Sequence, residues 1–321
     1  MKKKWFAAAL AGTLLAVLLL NGCASAQTAK RLRFGVAGEG GVYHAFGELY
    51  AALENETDNG TVELKTTAGS AANLRLLTGE YLQLAIAQGD LAQDAYDQTG
   101  IFADEEETRG FGAVAALYTE ACQIVVRADA DIQSVEDLQG KTVSIGAEES
   151  GSEQNALQIL AAYGLNDKLV DTVNLNYEDA AAQLKAGKVD AIFITAGAPS
   201  PVLTELAGEC GIRLLNVDGA AAQRLTSAYS AYSAVTLPAG TYPGQDTDVQ
   251  TVGVKAVLLA SDELPAKQVQ KLTELLFSGR EGMEEQLGIP LDAEQDAVEG
   301  VGIQFHAGAA AYYKAAGITV D

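Results

Sequence analysis

The sequence predicts an α/β fold, and two observations support this prediction. Short apolar runs rich in β-branched residues alternate with amphipathic stretches of helical length from Leu32 to the C-terminus. Glycine and small polar residues separate the runs from the stretches. This alternation is typical of strands that pack against helices, with turns at the points where the chain reverses.

Each apolar run has the length of one strand, and each amphipathic stretch repeats with the period of a helix. The predicted strands span residues 32–37, 62–66, 82–87, 114–117, 123–127, 142–145, 172–174, 191–195, 213–216 and 251–259. The predicted helices include residues 42–53, 71–78, 90–96, 154–163, 180–186 and 265–277.

Two of these strands are predicted to connect two lobes. Residues 122–127 leave the first group of strands and helices, and residues 252–259 return to it. Lobe 1 would then be discontinuous, with residues 31–125 plus 253–321, and lobe 2 would be residues 126–252. Two lobes joined by crossing strands form a cleft that can close by a hinge motion.

Four strand-to-helix turns have the composition of an anion site. They span residues 38–43 (GEGGVY), 68–73 (AGSAAN), 88–90 (QGD) and 149–153 (ESGSE). Helix N-termini at the carboxyl ends of strands present free N–H groups, which favour a carboxylate. Each turn also has a purely structural interpretation, because Ser150 with Glu153 forms a capping box and Ser70 is a possible N-cap.

The N-terminus has the pattern of an export signal. Lys2 to Lys4 precede an apolar run over residues 5–20, and Cys23 follows it directly after Gly22. This pattern predicts a lipoprotein signal peptide over residues 1–22 and lipidation of Cys23. Residues 23–30 would be a lipidated tether, and the protein would be extracytoplasmic, anchored to the cell membrane. The alternative is a transmembrane anchor, for which the run is short.

The composition argues against several classes of partner and chemistry. The chain has 43 acidic and 21 basic residues, a formal net charge of −22, which disfavours binding to nucleic acid or anionic lipid. Its only histidines are His44 and His306, so no metal site is predicted. Cys122 and Cys210 could pair in an oxidising compartment or remain free.

Enzymatic motifs are weak, and neither catalytic residues nor a cofactor is predicted. Gly38 and Gly40 lack the third glycine of a dinucleotide fingerprint, and Ser150 and Ser152 are not set in Gly-x-Ser-x-Gly. His306 is interpreted as a structural residue before the last helix.

Several long segments of the chain resemble the TAXI family of receptors, which deliver solutes to tripartite ATP-independent periplasmic (TRAP) transporters. The resemblance implies a two-lobed, type II periplasmic-binding-protein-like fold with a ligand cleft between the lobes. It implies capture of a small organic solute by a monomer and delivery to separate or fused permease subunits driven by an ion gradient, usually of sodium. The segments are residues 35–47, 67–77, 87–96, 135–157, 187–199, 238–244 and 306–317.

The resemblance also implies which residues line the cleft. Tyr43 would be an aromatic wall, although it could instead be a core tyrosine of its helix. The candidate ligand-binding residues, taken from the family pattern and from the same turns, are Gly38, Glu39, Gly40, Gly41, Tyr43, Ser70, Asn73, Gln88, Asp90, Glu149, Ser150, Gly151, Ser152, Thr195, Gly197, Pro199 and Tyr242.

Three carboxylates depart from the family pattern and bear on the ligand. Glu39, Glu148 and Glu149 stand where relatives commonly have uncharged residues, and His44 replaces a second aromatic residue. A carboxylate near a ligand ammonium contributes at most about 4 kcal/mol, and it opposes a dianion. The ligand is therefore predicted to be an amino acid such as glutamate or glutamine, unless these side chains point to solvent, in which case a dicarboxylate stays open.

Two other functional classes fit the same architecture. A receptor could present its closed form to a membrane sensor kinase instead of a permease. An exported enzyme could use the same two-lobed scaffold, although a cleft poor in histidine argues against it.

Overall fold

A ten-stranded mixed sheet runs through the computed structural model, which describes residues 31–57 and 61–320. The predicted signal, Cys23 and the tether lie outside the described residues. The strands are β1 (Leu32–Gly35), β2 (Val62–Lys65), β3 (Leu84–Gln88), β4 (Phe111–Arg127), β5 (Thr142–Ser144), β6 (Asp171–Val173), β7 (Ala191–Ala196), β8 (Ile212–Leu215), β9 (Ser233–Leu237) and β10 (Val249–Ser261).

The helices alternate with the strands over most of the chain. They are α1 (Val42–Asn55), α2 (Ser70–Thr78), α3 (Gly89–Asp97), α4 (Gly151–Ala162), α5 (Tyr177–Lys185), α6 (Pro201–Cys210), α7 (Gly219–Ala228), α8 (Ala266–Leu287) and α9 (Ala307–Ala315). The predicted α/β class is confirmed. Among these helices, none combines the length and apolarity that a bilayer-spanning segment needs.

The sheet has two parallel sides joined by two long antiparallel strands. Its main order is β2-β1-β3-β10-β4-β7-β5-β6, with β8 beside β4 and β9 beside β10. Strands β1, β2 and β3 are parallel, and so are β5, β6 and β7. The β1–β3 side and the β5–β7 side therefore each present strand carboxyl ends followed by helix N-termini.

The two joining strands differ from the prediction. Residues 111–127 form one strand, where two separate strands were predicted, because Tyr118 and Glu120 interrupt the apolar pattern but not the hydrogen bonds to β10. Shifts of register near Ala256 and Leu258 bend this pair. Strand β9 was not predicted, because most of its residues are exposed and it lacks an apolar run.

Alternating side chains of the buried strands pack on opposite faces of the sheet. On the β1–β3 side, Phe34 and Ile86 join a cluster with α1, α8 and α9, whereas Ala85 joins a second cluster with α2 and α3. On the β5–β7 side, Phe193 and its neighbour Ile192 belong to two different clusters on opposite faces. This period of two is the expected result of strands buried on both faces.

The predicted division into two lobes stays a prediction. Residues Leu32–Asp321 form one compact unit, and the sheet is continuous from β2 to β6. Within the described residues, Cys122 is buried, Cys210 is half-buried, and both are free thiols.

Candidate ligand-binding site

A cavity of about 380 Å³ lies at the carboxyl ends of the strands and takes residues from both sides of the sheet. This volume suits a small organic molecule. The lining comprises Ala37, Gly38, Glu39, Gly41, Val42, Tyr43, Thr66, Thr67, Ala68, Gly69, Ser70, Glu120, Ala147, Ser150, Gly151, Ser152, Asn176, Tyr177, Glu178, Thr195 and Ala196.

The structure brings about half of the candidate residues to this cavity. Those in the lining are Gly38, Glu39, Gly41, Tyr43, Ser70, Ser150, Gly151, Ser152 and Thr195. Those outside the lining are Gly40, Asn73, Gln88, Asp90, Glu149, Gly197, Pro199 and Tyr242. Sequence reasoning missed Glu120 and the start of α5, which supplies Asn176, Tyr177 and Glu178.

The N-terminus of α4 forms one of the two hydrogen bonds of the predicted capping box, and the second is shifted by one residue. The Ser150 hydroxyl accepts a hydrogen bond from the Glu153 N–H at 3.1 Å, and the Glu153 carboxylate accepts from the Glu149 N–H at 2.9 Å. Gly151 and Ser152 occupy the first turn, whose N–H groups have no acceptor within the helix. Because both residues line the cavity, these donors are available to an anion there.

Glycine at position 151 allows the two sides of the sheet to meet. A Cβ atom at this position would lie 2.1 Å from the Gln88 side-chain oxygen, which belongs to the end of β3. Gln88 is itself buried and outside the lining. The Gln88 side chain therefore packs directly against the first turn of α4.

The Ser152 hydroxyl is engaged within the protein. Tyr177 donates its hydroxyl hydrogen to the Thr195 carbonyl at 2.8 Å, so Ser152, 2.6 Å from the Tyr177 oxygen, is the donor of that pair. The Ser152 oxygen also accepts from the Thr195 N–H at 3.0 Å. This network fixes α4 and α5 to the end of β7, and it leaves the backbone N–H as the remaining donor of Ser152.

The N-terminus of α2 is already occupied. The Glu149 carbonyl accepts from the Ala71 N–H at 3.1 Å and from the Ala72 N–H at 3.3 Å. Glu149 has a φ of 64°, an unusual left-handed conformation for a residue with a side chain. The donors predicted to bind a ligand here are therefore used by a peptide group from the β5–β7 side.

The sequence offered Ser70 as a possible N-cap of α2, and the structure contradicts this. Gly69 is the N-cap, with a φ of 131°, and Ser70 is the first helical residue. The Ser70 hydroxyl accepts from the Gln88 N–H at 3.1 Å. This hydrogen bond connects α2 to the end of β3. Ser70 is also part of the cavity lining.

An ion pair accompanies the contact between Glu149 and α2. Arg75 lies 3.0 Å from the Glu149 carboxylate and 2.8 Å from Glu105. The Glu149 side chain is half exposed and lies outside the cavity lining, so its charge acts on Arg75 rather than on a bound solute. Glu149 with Arg75 and the first turn of α2 forms a bridge between the two sides of the sheet.

Asn73 has a structural role. Its side-chain amide donates to the carbonyls of Gly35, Val36 and Ile86 at 3.3, 3.1 and 2.8 Å. Its side-chain oxygen accepts from Thr67 at 2.7 Å. Asn73 is fully buried and holds the ends of β1 and β3 together, which explains why it does not reach the cavity.

Gly197 and Tyr242 pack inside the protein, whereas Pro199 is exposed. The Tyr242 hydroxyl donates to Gln123 and accepts from the Ser200 N–H at 2.9 Å. A Cβ atom at Gly197 would lie 2.8 Å from an Ile289 methyl group, and Pro199 lines a separate cavity near β9. Gly40 lies outside the lining as well, against the side chain of Glu178.

Glu120 is the carboxylate in the wall of the cavity. It lies on β4, is only 3 % exposed, and accepts a hydrogen bond from the Tyr43 hydroxyl at 2.6 Å. Burial raises the pKa of Glu120 to about 8, the nearby Asp90 raises it further, and hydrogen bonds from Tyr43 and Gln88 oppose this rise. The signal that could have found Glu120 is a single acidic residue between two apolar runs.

Asp90 lies behind the cavity wall. Its carboxylate accepts from the Asn155 side-chain amide at 3.2 Å, and Asn155 also donates to the Tyr232 hydroxyl at 2.7 Å. Burial raises the pKa of Asp90 to about 6. Asp90 thus links the start of α3 to α4 and acts on the site through its charge.

The lining is acidic, but not through all of the residues that the sequence indicated. Its charged members are Glu39, Glu120 and Glu178, and the described lining contains no lysine, arginine or histidine. Glu148 and Glu149 lie outside it, and both are exposed. His44 is outside it as well, with one ring nitrogen 3.7 Å from Glu48.

Potential metal ligands do not cluster in the described part of the chain. No group of three or more histidine, cysteine, aspartate or glutamate side chains is arranged there to hold a metal ion. His306 serves as the N-cap of α9, where its ring accepts from the Gly308 N–H at 3.0 Å, so its structural interpretation is confirmed.

Comparison with known proteins places the chain in a family and identifies its fold. The model of the NMT1-like family matches residues 34–317. The periplasmic binding protein BugD is similar over 91 % of this chain and 99 % of its own, with 14 % identity and a TM-score of 0.57.

Two further structures have the same fold. The alkanesulfonate-binding protein SsuA from Xanthomonas axonopodis pv. citri, bound to MOPS, is 19 % identical over 83 % of this chain and 82 % of its own, with a TM-score of 0.50. An ancestral arginine-binding protein bound to arginine is 16 % identical over 81 % and 97 %, with a TM-score of 0.50. The fold of type II periplasmic binding proteins, predicted from the sequence resemblance, is confirmed.

Proposed function

Because the chain belongs to the NMT1-like family, we propose that it is an extracytoplasmic receptor for a small carboxylate-bearing solute. The observation that carries this proposal is one cavity lined by the first residues of α1, α4 and α5, which come from both sides of the sheet. Helix N-termini that converge on an enclosed space favour an anionic group.

The solute is an amino acid such as glutamate or glutamine. The N–H groups of Gly151 and Ser152 suit its carboxylate, whereas Glu39, Glu120 and Glu178 favour its ammonium group, which a simple dicarboxylate lacks. No basic side chain in the described lining is available to neutralise a dianion. The charge argument made from the sequence still favours a solute with an amine. Glu120 and Glu178 take the places of Glu148 and Glu149 in it.

Delivery of this solute to a TRAP permease follows from the resemblance to TAXI receptors. In this proposal, Cys23 carries the lipid that keeps the receptor at the membrane, and residues 31–125 plus 253–321 and residues 126–252 close as two lobes over the solute. Closure excludes water and strengthens each polar contact inside the cavity. The permease would then recognise the closed surface.

A ligand analysis tests the receptor proposal directly. Protein purified without added solute is denatured, and the released small molecules are identified by mass spectrometry. Calorimetry then compares amino acids with succinate, fumarate and 2-oxoglutarate. We expect an amino acid to bind. Binding of a dicarboxylate in preference to every amino acid would contradict the proposed ligand class, and turnover of a bound solute would indicate an enzyme.

Uptake into liposomes tests the transporter class. The candidate permease is reconstituted, and solute accumulation is measured with the lipidated receptor outside the vesicles. Accumulation that needs the receptor and an ion gradient, but no ATP, is the expected result. Accumulation that needs ATP hydrolysis would contradict the TRAP assignment and leave the receptor proposal intact.

A further inference from the structure

We propose that Glu120 is the specificity-determining residue of the cavity and that it accepts hydrogen bonds from the amine of the solute. This inference rests on the proposed receptor function and adds to it the group that distinguishes an amino acid from the acid without its nitrogen. Neither the family resemblance nor the four turns pointed to this residue.

The position of Glu120 separates it from the other carboxylates of the lining. Glu39 lies in the turn before α1 and Glu178 in the first turn of α5, and both are exposed, whereas Glu120 lies on β4 and is 97 % buried. A charge with little access to water interacts more strongly with a ligand than a solvated one. The buried carboxylate is therefore the one that can contribute most to selectivity.

The environment of Glu120 offers it no positive partner among the described residues. The groups that interact with it electrostatically come from α1, α3, β4 and α5, and all become negative when they ionise: Tyr43, Asp90, Tyr118, Cys122 and Tyr177. Ionising a buried carboxylate that has no cationic partner costs free energy. Glu120 is therefore expected to be protonated unless a cationic ligand is bound.

Tyr43 orients the Glu120 carboxyl group. Its hydroxyl donates to one oxygen of Glu120 at 2.6 Å, and the Tyr43 side chain is itself buried and in the lining. The Gln88 side chain also donates to the Glu120 carboxylate. Because a carboxylate has about four lone-pair sites, acceptor positions remain for a donor inside the cavity. An ammonium group has three donors and a charge that matches, whereas a ketone or hydroxyl group at the same place lacks that charge.

A proton accompanies the binding of the amine. With a pKa of about 8, Glu120 is mostly protonated at pH 7 in the empty cavity. An ammonium group needs the ionised form, so binding releases the carboxyl proton to the solvent. The affinity for the amine-bearing solute should rise with pH until Glu120 is ionised without a ligand.

Matched ligand pairs and one isosteric substitution test this inference. The protein and its Glu120→Gln variant are titrated calorimetrically with L-glutamate and 2-oxoglutarate, and with L-alanine and pyruvate. Wild-type protein should prefer the amino acid of at least one pair, and Glu120→Gln should weaken that amino acid about 10- to 100-fold while changing its oxo acid little. Titrations in buffers of different ionisation enthalpy should show proton release for the wild type and none for the variant.

Glu54→Gln is the matched control, because Glu54 is also a buried glutamate with a raised pKa but lies on α1 outside the lining. It should leave both the preference and the proton release unchanged. Glutamine can still accept from Tyr43, so Glu120→Gln should fold, which its thermal unfolding without ligand verifies.

The possible failures are distinguishable. Preference for the amino acid that survives Glu120→Gln, or no preference between the members of any bound pair, would overturn this inference and leave the receptor proposal standing. If none of these solutes binds and none is released from purified protein, the receptor proposal and this inference both fall.

Discussion

The N-termini of α2 and α4 look alike in the sequence but have different roles in the structure. Both follow a strand through a turn of small polar residues, and both were candidates to bind a solute. At α2 the first N–H groups bind the Glu149 carbonyl, whereas at α4 the first turn opens on the cavity. The difference shows that a free helix terminus is a ligand site only where no neighbouring backbone reaches it first.

The largest expected effect on solute affinity comes from displacing the N-terminus of α4, which opens on the cavity. Gly151→Val places a side chain against Gln88 at the contact between the two sides of the sheet. Overpacking of this kind destabilises the fold by about 1–3 kcal/mol. Because it displaces the N–H groups of α4 that line the cavity, we expect the affinity to fall by at least about 10-fold. Calorimetry with the solute identified from purified protein measures this loss.

Gly208→Ala provides a matched control for that substitution. Gly208 lies within α6, and a Cβ atom there would have no neighbour within 4 Å. We expect its affinity to match the wild type, with a stability gain of up to about 1 kcal/mol from helix propensity. Unchanged binding by Gly151→Val would show that the contact with Gln88 does not shape the cavity.

The pH dependence of stability tests the protonation of Glu120, which lines the same cavity as the N-terminus of α4. The pKa of Glu120 is raised to about 8 in the folded protein, so the native state holds a proton that the unfolded chain releases. The free energy of unfolding should therefore fall as pH rises from about 5 to 8, by at most about 1.4 kcal/mol per pH unit. Asp90, with a pKa of about 6, adds to the lower part of this range.

Urea unfolding at a series of pH values measures this slope. Glu120→Gln should flatten it between pH 6 and 8, because glutamine has no proton to release. Equal slopes in the two proteins would mean that Glu120 is ionised in the folded state. That outcome would also predict no proton release on binding.

A smaller effect is expected from Ser152, which supports the open terminus through its side chain. Ser152→Ala leaves the Thr195 N–H without a partner and removes the hydrogen bond that the Tyr177 oxygen accepts, at a cost of about 1–3 kcal/mol in the free energy of unfolding. Its backbone N–H remains, so affinity should change less than in Gly151→Val. A complete loss of binding with unchanged stability would assign the hydroxyl to the ligand instead.

The smallest effect is expected at the occupied terminus. Arg75→Ala removes the ion pair with Glu149, but the carbonyl of Glu149 still binds α2. Both side chains are partly exposed, so the contribution is at most about 1 kcal/mol and decreases with salt. Solute affinity measured at low and high salt checks this. A loss larger than that of Gly151→Val would show that the side chain, not the backbone, holds the bridge.

Sequence patterns were sufficient for most strands and for the cap of α4, because these depend on local periodicity and on residues three positions apart. The Ser150 hydroxyl accepts from the Glu153 N–H, as the spacing indicated. The patterns failed at β4, where Glu120 made one long strand look like two, and at Ser70, where the cap is Gly69. In both cases the local structure depends on a distant segment. Pairing with β10 keeps β4 continuous, and the end of β3 uses the Ser70 hydroxyl as a hydrogen-bond acceptor.

The sequence by itself determined the α/β class and three of the turns from which the cavity is made, at residues 38–43, 68–73 and 149–153. Only the tertiary structure decided which turn stays open, that Asn73 and Tyr242 support the strands, and that Glu120 is in the cavity wall. The physical reason is that local patterns specify helices, strands and caps, whereas burial and hydrogen-bond partners depend on residues brought together from both sides of the sheet.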